Sequence, residues 1–201
     1  MYYLDFIAKA GLAFSHTPML AGVLFLGLVS KKREIFIKTA YLLLFTMIYN
    51  LYLKSIWQVP LPPPLEGWAF PSGHMHSAFV FWGWLAVEFK KTWFYEFVFF
   101  ILTLVGYGLI QQGYHYPSDV LASVGFGLLS ITLYSIINKT PFFKNHSGRL
   151  GWLMLSLSAG ILFLLLPPQF RKPHVIKAFQ MLCVFALSWS TYQFIIHKKK
   201  T

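Results

Sequence analysis

Two short polar turns in this otherwise apolar chain have residue types that could do chemistry. Residues 71–74 read Pro-Ser-Gly-His, and residues 115–119 read His-Tyr-Pro-Ser-Asp. Each turn lies where a strongly hydrophobic segment meets a loop. Together they supply two imidazoles, a carboxylate and a small-residue turn. This set suits acid–base and nucleophilic catalysis on a phosphoryl group.

The first turn has the features of an anion site. Ser72 and Gly73 come just before an apolar segment, so we expect their backbone N–H groups at the positive end of a helix. No bulky side chain would block an anionic oxygen there. His74 then falls on the first turn of that helix, beside the expected anion.

The second turn pairs an imidazole with a carboxylate. His115 and Asp119 are four residues apart, which on one helical turn lets the carboxylate bond the imidazole. That bond would fix the tautomer and leave the other ring nitrogen free to attack or to carry a proton. One histidine with an orienting aspartate, plus a second histidine, provides a nucleophile and an acid. That is the minimum for phosphoryl transfer through a phospho-histidine.

The composition indicates a membrane scaffold around these turns. The chain is 57% hydrophobic and only 11% charged, whereas about 25% of the residues in a soluble domain are charged. We therefore expect lipid to solvate much of the apolar surface. The net charge of +11 does not indicate nucleic acid as a partner, because the basic residues fall in short clusters between apolar runs.

The apolar segments predict an all-α fold. They are too long for ordinary strands and lack two-residue alternation. We expect a polytopic membrane helical bundle with six to seven transmembrane helices, the first broken by His16 and Pro18, in a single domain over residues 1–201. The candidate spans cover about residues 10–30, 36–57, 74–89, 92–113, 118–138, 150–166 and 174–196.

The distribution of basic residues predicts the orientation. Twelve of the 17 lysines and arginines fall in one set of alternate turns and the C-terminal tail, and five fall on the opposite side. The richer side is expected to face the cytoplasm. We therefore predict an integral protein of a bacterial inner (cytoplasmic) membrane, with both polar turns facing the periplasm or exterior.

The motifs resemble those of a known family. Residues 71–74 and 115–120 resemble the second and third signature motifs of the type 2 phosphatidic acid phosphatase (PAP2) superfamily of membrane lipid phosphatases. Lys54, seven residues before Leu61, lies where the first family motif has a lysine followed by Arg-Pro. The similarity extends over about residues 35–140 and implies a PAP2-like helical core there.

The resemblance also implies residue roles. His115 would be the nucleophile, Asp119 its orienting partner, and His74 the acid that protonates the leaving group. The phosphate would lie among a lysine, a serine and a glycine: Lys54, Ser72 and Gly73. The substrate would be a lipid phosphate or phospholipid, and no metal or other cofactor is expected.

Two family arginines are replaced in this chain. Their positions hold Leu61 and Leu109, and each would have given a bidentate, charge-assisted contact to phosphate. Three explanations remain open. The chain could be a monoester phosphatase with other donors, for which Gln112 is a candidate if it shares a helical face with Leu109 and His115. It could act on a phosphodiester, with chemistry resembling that of sphingomyelin synthases, or it could be an inactive lipid-binding protein.

The remaining histidines have less specific settings. His76 lies two residues from His74 and is expected to make a hydrogen bond at the edge of the site. Four further histidines lie at span ends or in loops and are expected to be interfacial residues: His16, His146, His174 and His197. No cluster of histidine, cysteine, aspartate or glutamate has the spacing of a zinc or iron site. The sequence does not indicate the oligomeric state.

Overall fold

The computed structural model describes residues 2–139, 149–171 and 173–198. In this part of the chain the regular structure is helical, without a strand, which confirms the predicted all-α class. The eight α-helices are α1 (Tyr2–Ala13), α2 (Thr17–Leu28), α3 (Arg33–Trp57), α4 (Gly73–Phe89), α5 (Thr92–Gln111), α6 (Pro117–Lys139), α7 (Arg149–Leu165) and α8 (Pro173–Lys198). A short 3-10 turn, Pro168–Phe170, lies between α7 and α8.

Judged by length and composition alone, fewer helices than predicted are able to cross a membrane. Within the described residues, α3, α5 and α6 are long and apolar enough to cross a membrane, and the α1–α2 pair makes a fourth span if taken together. The central helix α4 has 17 residues, and the apolar parts of α7 and α8 are shorter still. Crossing a bilayer needs about 20 residues. Spans at α4, α7 and α8, and hence the total of six to seven, stay a prediction.

The predicted break in the first span is present. Helix α1 ends at Ala13, α2 begins at Thr17, and their axes differ by 44°. His16 caps α2 from an extended conformation, and proline occupies the first turn of α2, where its missing N–H costs no helical hydrogen bond.

Helix α1 packs very closely on α5. A Cβ atom built on Gly108 would lie 2.5 Å from the Ala8 carbonyl oxygen. A Cβ atom on Gly11 would lie 2.6 Å from the Leu104 carbonyl oxygen. A side chain at either position would push the two backbones apart, so glycine at both positions allows this contact.

Helix α4 lies at the centre of the bundle. It packs against α3, α5 and α6, while α7 and α8 pack on α3. The large side chains of Phe81, Trp84 and Leu85 are fully buried along it. Because α4 and α6 both begin at one end of the bundle and α3 ends there, this packing gathers the two polar turns and Lys54 at the same end.

The loop between α3 and α4 folds back on itself. The Ala69 N–H donates to the Val59 carbonyl oxygen at 2.7 Å, and the Leu61 N–H donates to the Gly67 carbonyl oxygen at 3.1 Å. The hairpin-like loop, residues 58–72, therefore returns the chain to the start of α4 directly above the end of α3.

Candidate active site

The first polar turn begins α4 as the sequence predicted. Ser72 is the N-cap residue, and its Oγ accepts a hydrogen bond from the Met75 N–H at 3.4 Å. Ser72 is fully buried, whereas His74 is exposed. The free N–H groups of this helical turn and the imidazole of His74 therefore face the same end of the bundle, which suits an anionic ligand.

A buried amide supports this turn from α3. Asn50 Nδ2 donates to the Pro71 carbonyl oxygen at 3.3 Å and lies 3.2 Å from His76 Nδ1. If the amide also donates to Nδ1, the proton of the His76 ring is on Nε2, which lacks a partner among the described residues. His76 is thus buried beneath the first polar turn, within hydrogen-bond distance of the amide that supports it.

The second polar turn holds the predicted imidazole–carboxylate pair. His115 Nδ1 lies 3.4 Å from Asp119 Oδ2, and the Tyr116 N–H donates to the same oxygen at 2.9 Å. His115 is 8% exposed and Asp119 is 1% exposed. Since the carboxylate is fixed by the backbone, it favours the tautomer with the proton on Nδ1 and leaves Nε2 with a lone pair.

The two turns are joined through the backbone. The Ser72 N–H donates to the Asp119 carbonyl oxygen at 3.2 Å. Ser123 on α6 lies between them, because its Oγ is 2.9 Å from the Ser72 carbonyl oxygen and 2.7 Å from the Asp119 carbonyl oxygen. Sequence reasoning missed Ser123, whose only local signal is its position one helical turn after Asp119.

Lys54 completes the predicted group from the end of α3. Its Nζ donates to the Ala69 carbonyl oxygen at 3.0 Å and to the Trp68 carbonyl oxygen. Burial lowers the pKa of the His115 imidazole to about 4, and the nearby charges of Lys54 and His74 act in the same direction against the opposing effect of Asp119. His115 is therefore neutral at pH 7, with its Nε2 lone pair available.

The two leucines at the family's arginine positions differ in their surroundings. Leu109 is 1% exposed and belongs to the apolar core. Leu61 is only half-buried in the loop that precedes α4. Neither position supplies a cation, so Lys54 supplies the permanent positive charge close to His115 within the described part of the chain.

Gln112 has a different setting from the one expected. Helix α5 ends at Gln111, so the argument that Gln112 shares a helical face with His115 is wrong. Gln112 Nε2 donates to Asp5 Oδ1 at 2.6 Å, which joins the loop before His115 to the first turn of α1. Its part in phosphate binding stays a prediction.

The structure adds one histidine that sequence reasoning left outside the site. The ring of His16, at the break between α1 and α2, lies edge-on to the ring of His74 with 5.9 Å between centroids. No group of three or more histidine, cysteine, aspartate or glutamate residues in the described part of the chain could hold a metal ion.

These contacts place the two motifs, Lys54 and helices α4 to α6 in one unit, and the comparison with known families identifies it. The family model of the PAP2 superfamily matches residues 53–142. This segment is similar to the PAP2 superfamily. The PAP2 segment includes every predicted site residue, while α1, α2, α7 and α8 lie outside it. No curated protein and no solved structure gives a significant match to the chain.

Proposed function

We propose that this protein is an integral-membrane lipid phosphatase or phosphotransferase that works through a phospho-histidine intermediate. The observation that supports this most directly is the buried pair of His115 Nδ1 and Asp119 Oδ2, 3.4 Å apart, in a PAP2 segment. Lys54 and His74 are close enough for their charges to act on His115. Nucleophile, orienting carboxylate, acid and cation are thus in one place.

In the first step, the lone pair of His115 Nε2 attacks the phosphorus atom. The bond from phosphorus to the ester oxygen breaks, and its electron pair leaves with that oxygen. His74 gives its proton to the departing oxygen, which releases an alcohol. Asp119 stabilises the positive charge that develops on the His115 ring while keeping its proton on Nδ1.

In the second step, water or another alcohol attacks the phospho-histidine. His74, now neutral, takes the proton from this acceptor as the new oxygen–phosphorus bond forms. The phosphorus–nitrogen bond breaks, its electrons return to Nε2, and both histidines regain their starting states. Lys54 and the free N–H groups at the start of α4 stabilise the phosphoryl oxygens in both steps.

A lipid substrate is supported by the surface around the site. Exposed aromatic side chains surround the two polar turns: Trp57, Trp68, Tyr114 and Tyr116. Aromatic side chains are enriched where a bilayer meets water. With the excess of basic residues on the cytoplasmic side, the site would open at the outer membrane face.

The arginine replacements favour a second candidate reaction, transfer or hydrolysis at a phosphodiester head group. A phosphodiester carries one negative charge, and a phosphomonoester carries close to two near neutral pH. The burial of Leu109 leaves Lys54 as the permanent cation close to His115 in the described part of the chain. This weaker positive charge suits a monoanion better than a dianion.

Turnover by purified protein in detergent tests the proposal. The substrates are phosphatidic acid, a polyprenyl diphosphate and a choline or ethanolamine phospholipid, with release of phosphate or head group measured. We expect turnover of at least one by wild type and by Thr103→Ala, an exposed control on α5. We expect none by His115→Ala, and a radiolabelled phospho-enzyme in wild type that alkali leaves intact.

Equal rates for wild type and His115→Ala on every substrate would refute the enzymatic proposal. Lipid binding without turnover, unchanged in His115→Ala, would instead support an inactive lipid-binding protein. Release of head group rather than phosphate would favour the phosphodiester reaction over the monoester reaction.

A further inference from the structure

We propose that His16 is a further phosphate-binding residue of this site, contributed by the break between α1 and α2. The inference rests on the proposed phosphoryl transfer and identifies a group that contacts the phosphate on the side of the leaving group. His16 lies outside the segment that matches the PAP2 superfamily. No part of the resemblance assigns it a role.

The position of His16 is the first support. Its ring meets the ring of His74 at 67°, with 5.9 Å between the centroids. His16 and His74 are both exposed, so a ligand can reach them from the same side. Among the described residues no hydrogen bond involves a ring nitrogen of His16, so at least one N–H is available as a donor.

The break that carries His16 is held in place by packing. Trp82 Nε1 on α4 donates to the Phe14 carbonyl oxygen at 2.9 Å, and the two rings lie edge to face with 6.1 Å between centroids. Ser15 Oγ donates to the Leu12 carbonyl oxygen at 2.7 Å. Leu20 on α2 is buried in the apolar core. His16 therefore has a defined position relative to α4 and His74.

The geometry of in-line transfer predicts which part of the substrate His16 contacts. In-line transfer puts the phosphorus between His115 Nε2 and the leaving oxygen, and His74 protonates that oxygen. A second imidazole beside His74 is thus on the side of the leaving group. An N–H of His16 can donate to a phosphoryl oxygen or to the departing ester oxygen, where negative charge develops.

His16 would also replace part of the phosphate contact that the two family arginines would have given. Leu61 and Leu109 supply no donor to the phosphate, and Lys54 already donates to the Trp68 and Ala69 carbonyl oxygens. An imidazole carries a full charge only when protonated, so it is a weaker substitute for arginine. It is nevertheless a hydrogen-bond donor in both protonation states, and in this fold it comes from outside the family segment.

Four variants test the inference: His16→Ala, His16→Gln, Thr17→Ala and His115→Ala. The readouts are kcat and KM on the best substrate, the affinity for inorganic phosphate by calorimetry, and the melting temperature. His16→Ala should weaken phosphate binding and raise KM by about tenfold, as expected for a lost hydrogen bond to a charged group. His16→Gln keeps an N–H donor and should recover most of the loss. Thr17→Ala, the exposed neighbour, should resemble wild type.

The outcomes separate this inference from the proposed function. If His16→Ala binds phosphate and turns over substrate like Thr17→Ala, the inference is wrong while the proposed function stands. His16→Ala could instead lower the melting temperature, with His16→Gln restoring the melting temperature but not the phosphate affinity. That result would also overturn the inference and give His16 a structural role. If His115→Ala retains turnover, the proposed function fails, and the phosphate affinities alone then decide whether His16 binds the anion. Absence of phosphate binding in wild type, with KM unaffected by His16→Ala, would count against it as well.

Discussion

His115 takes its backbone position from Leu109. The His115 N–H donates to the Leu109 carbonyl oxygen at 3.2 Å, and the Tyr114 N–H donates to the same oxygen at 3.0 Å. The side chain of Leu109 meanwhile lies in the apolar core and is 1% exposed. The residue at the expected arginine position therefore holds the loop of the proposed nucleophile through its backbone, and its side chain contributes to core packing.

Replacing Leu109 with arginine should destabilise the protein without restoring an arginine contact. A guanidinium in this core would be an unpaired buried charge, which costs about 3 kcal/mol or more. We expect Leu109→Arg to lower the melting temperature in detergent, while Leu109→Met stays close to wild type. A stable Leu109→Arg protein with increased monoester turnover would show that the side chain can leave the core.

Replacing Leu61 with arginine should have the opposite outcome. Leu61 is half-buried in the loop before α4, so a longer side chain can extend to solvent and to the site. A charge-assisted contact to a phosphomonoester should raise kcat/KM for that substrate by about tenfold. Leu61→Met is the apolar control, and equal kcat/KM in the two variants would argue against an arginine contact from this position.

Ser123 should position both halves of the site. Its hydroxyl lies within hydrogen-bond distance of the Ser72 and Asp119 carbonyl oxygens, on the two turns that carry the proposed catalytic histidines. Ser123→Ala should cost about 1 kcal/mol of stability and lower kcat more than it raises KM. Ser130→Ala on the same helix, whose hydroxyl donates to the Phe126 carbonyl oxygen one turn earlier, is the matched control. Equal kcat values for the two variants would limit Ser123 to a structural role.

The charge of Lys54 should contribute, after burial, to the acid limit of activity through the pKa of His115. It lowers the pKa of His115 by disfavouring the imidazolium, so its removal in Lys54→Gln should raise that pKa toward the ordinary value. The proposed nucleophile would be active only when neutral, and the acid limb of kcat/KM should therefore move to higher pH. Lys54→Arg keeps the charge and should leave the limb in place. The pH profile of kcat/KM from about pH 4 to pH 8 measures the shift, and a limb at the same pH in Lys54→Gln would show that Lys54 does not act on His115.

The lowered pKa of His115 also makes the stability of the protein depend on pH. The pKa of His115 is lower in the folded protein than its ordinary value. Between these two pKa values the unfolded chain binds more protons at this residue than the folded protein does. The contribution of His115 to stability is therefore complete above the ordinary histidine pKa and falls as the pH drops toward about 4.

The helical class, the break at His16 and the start of α4 at Gly73 could all be predicted from the sequence. They depend on local patterns: long apolar runs, a proline in the first turn of a helix, and a serine N-cap. The contact of His115 with Asp119 was also predictable from their separation of four residues. His115 itself lies just before α6, which begins at Pro117, so the two side chains meet across the start of the helix.

Gln112 shows where local patterns fail. Its assignment to a helical face needed α5 to continue past Gln111, but the helix ends there and Gly113 adopts a positive φ of 68°. The hydrogen-bond partner of Gln112, Asp5, is far away in the sequence. No periodicity within α5 indicates that partner.

The sequence by itself determined the residue types of the candidate chemistry, the helices that carry them and the resemblance to the PAP2 superfamily. Only the tertiary structure decided that Ser123 joins the two turns, that Leu109 lies in the core and that His16 lies beside His74. Helix starts and pairs four residues apart depend on neighbours along the chain, so the sequence specifies them directly. Contacts between helices depend on how all of the side chains pack at once, and that packing exists only in the folded bundle.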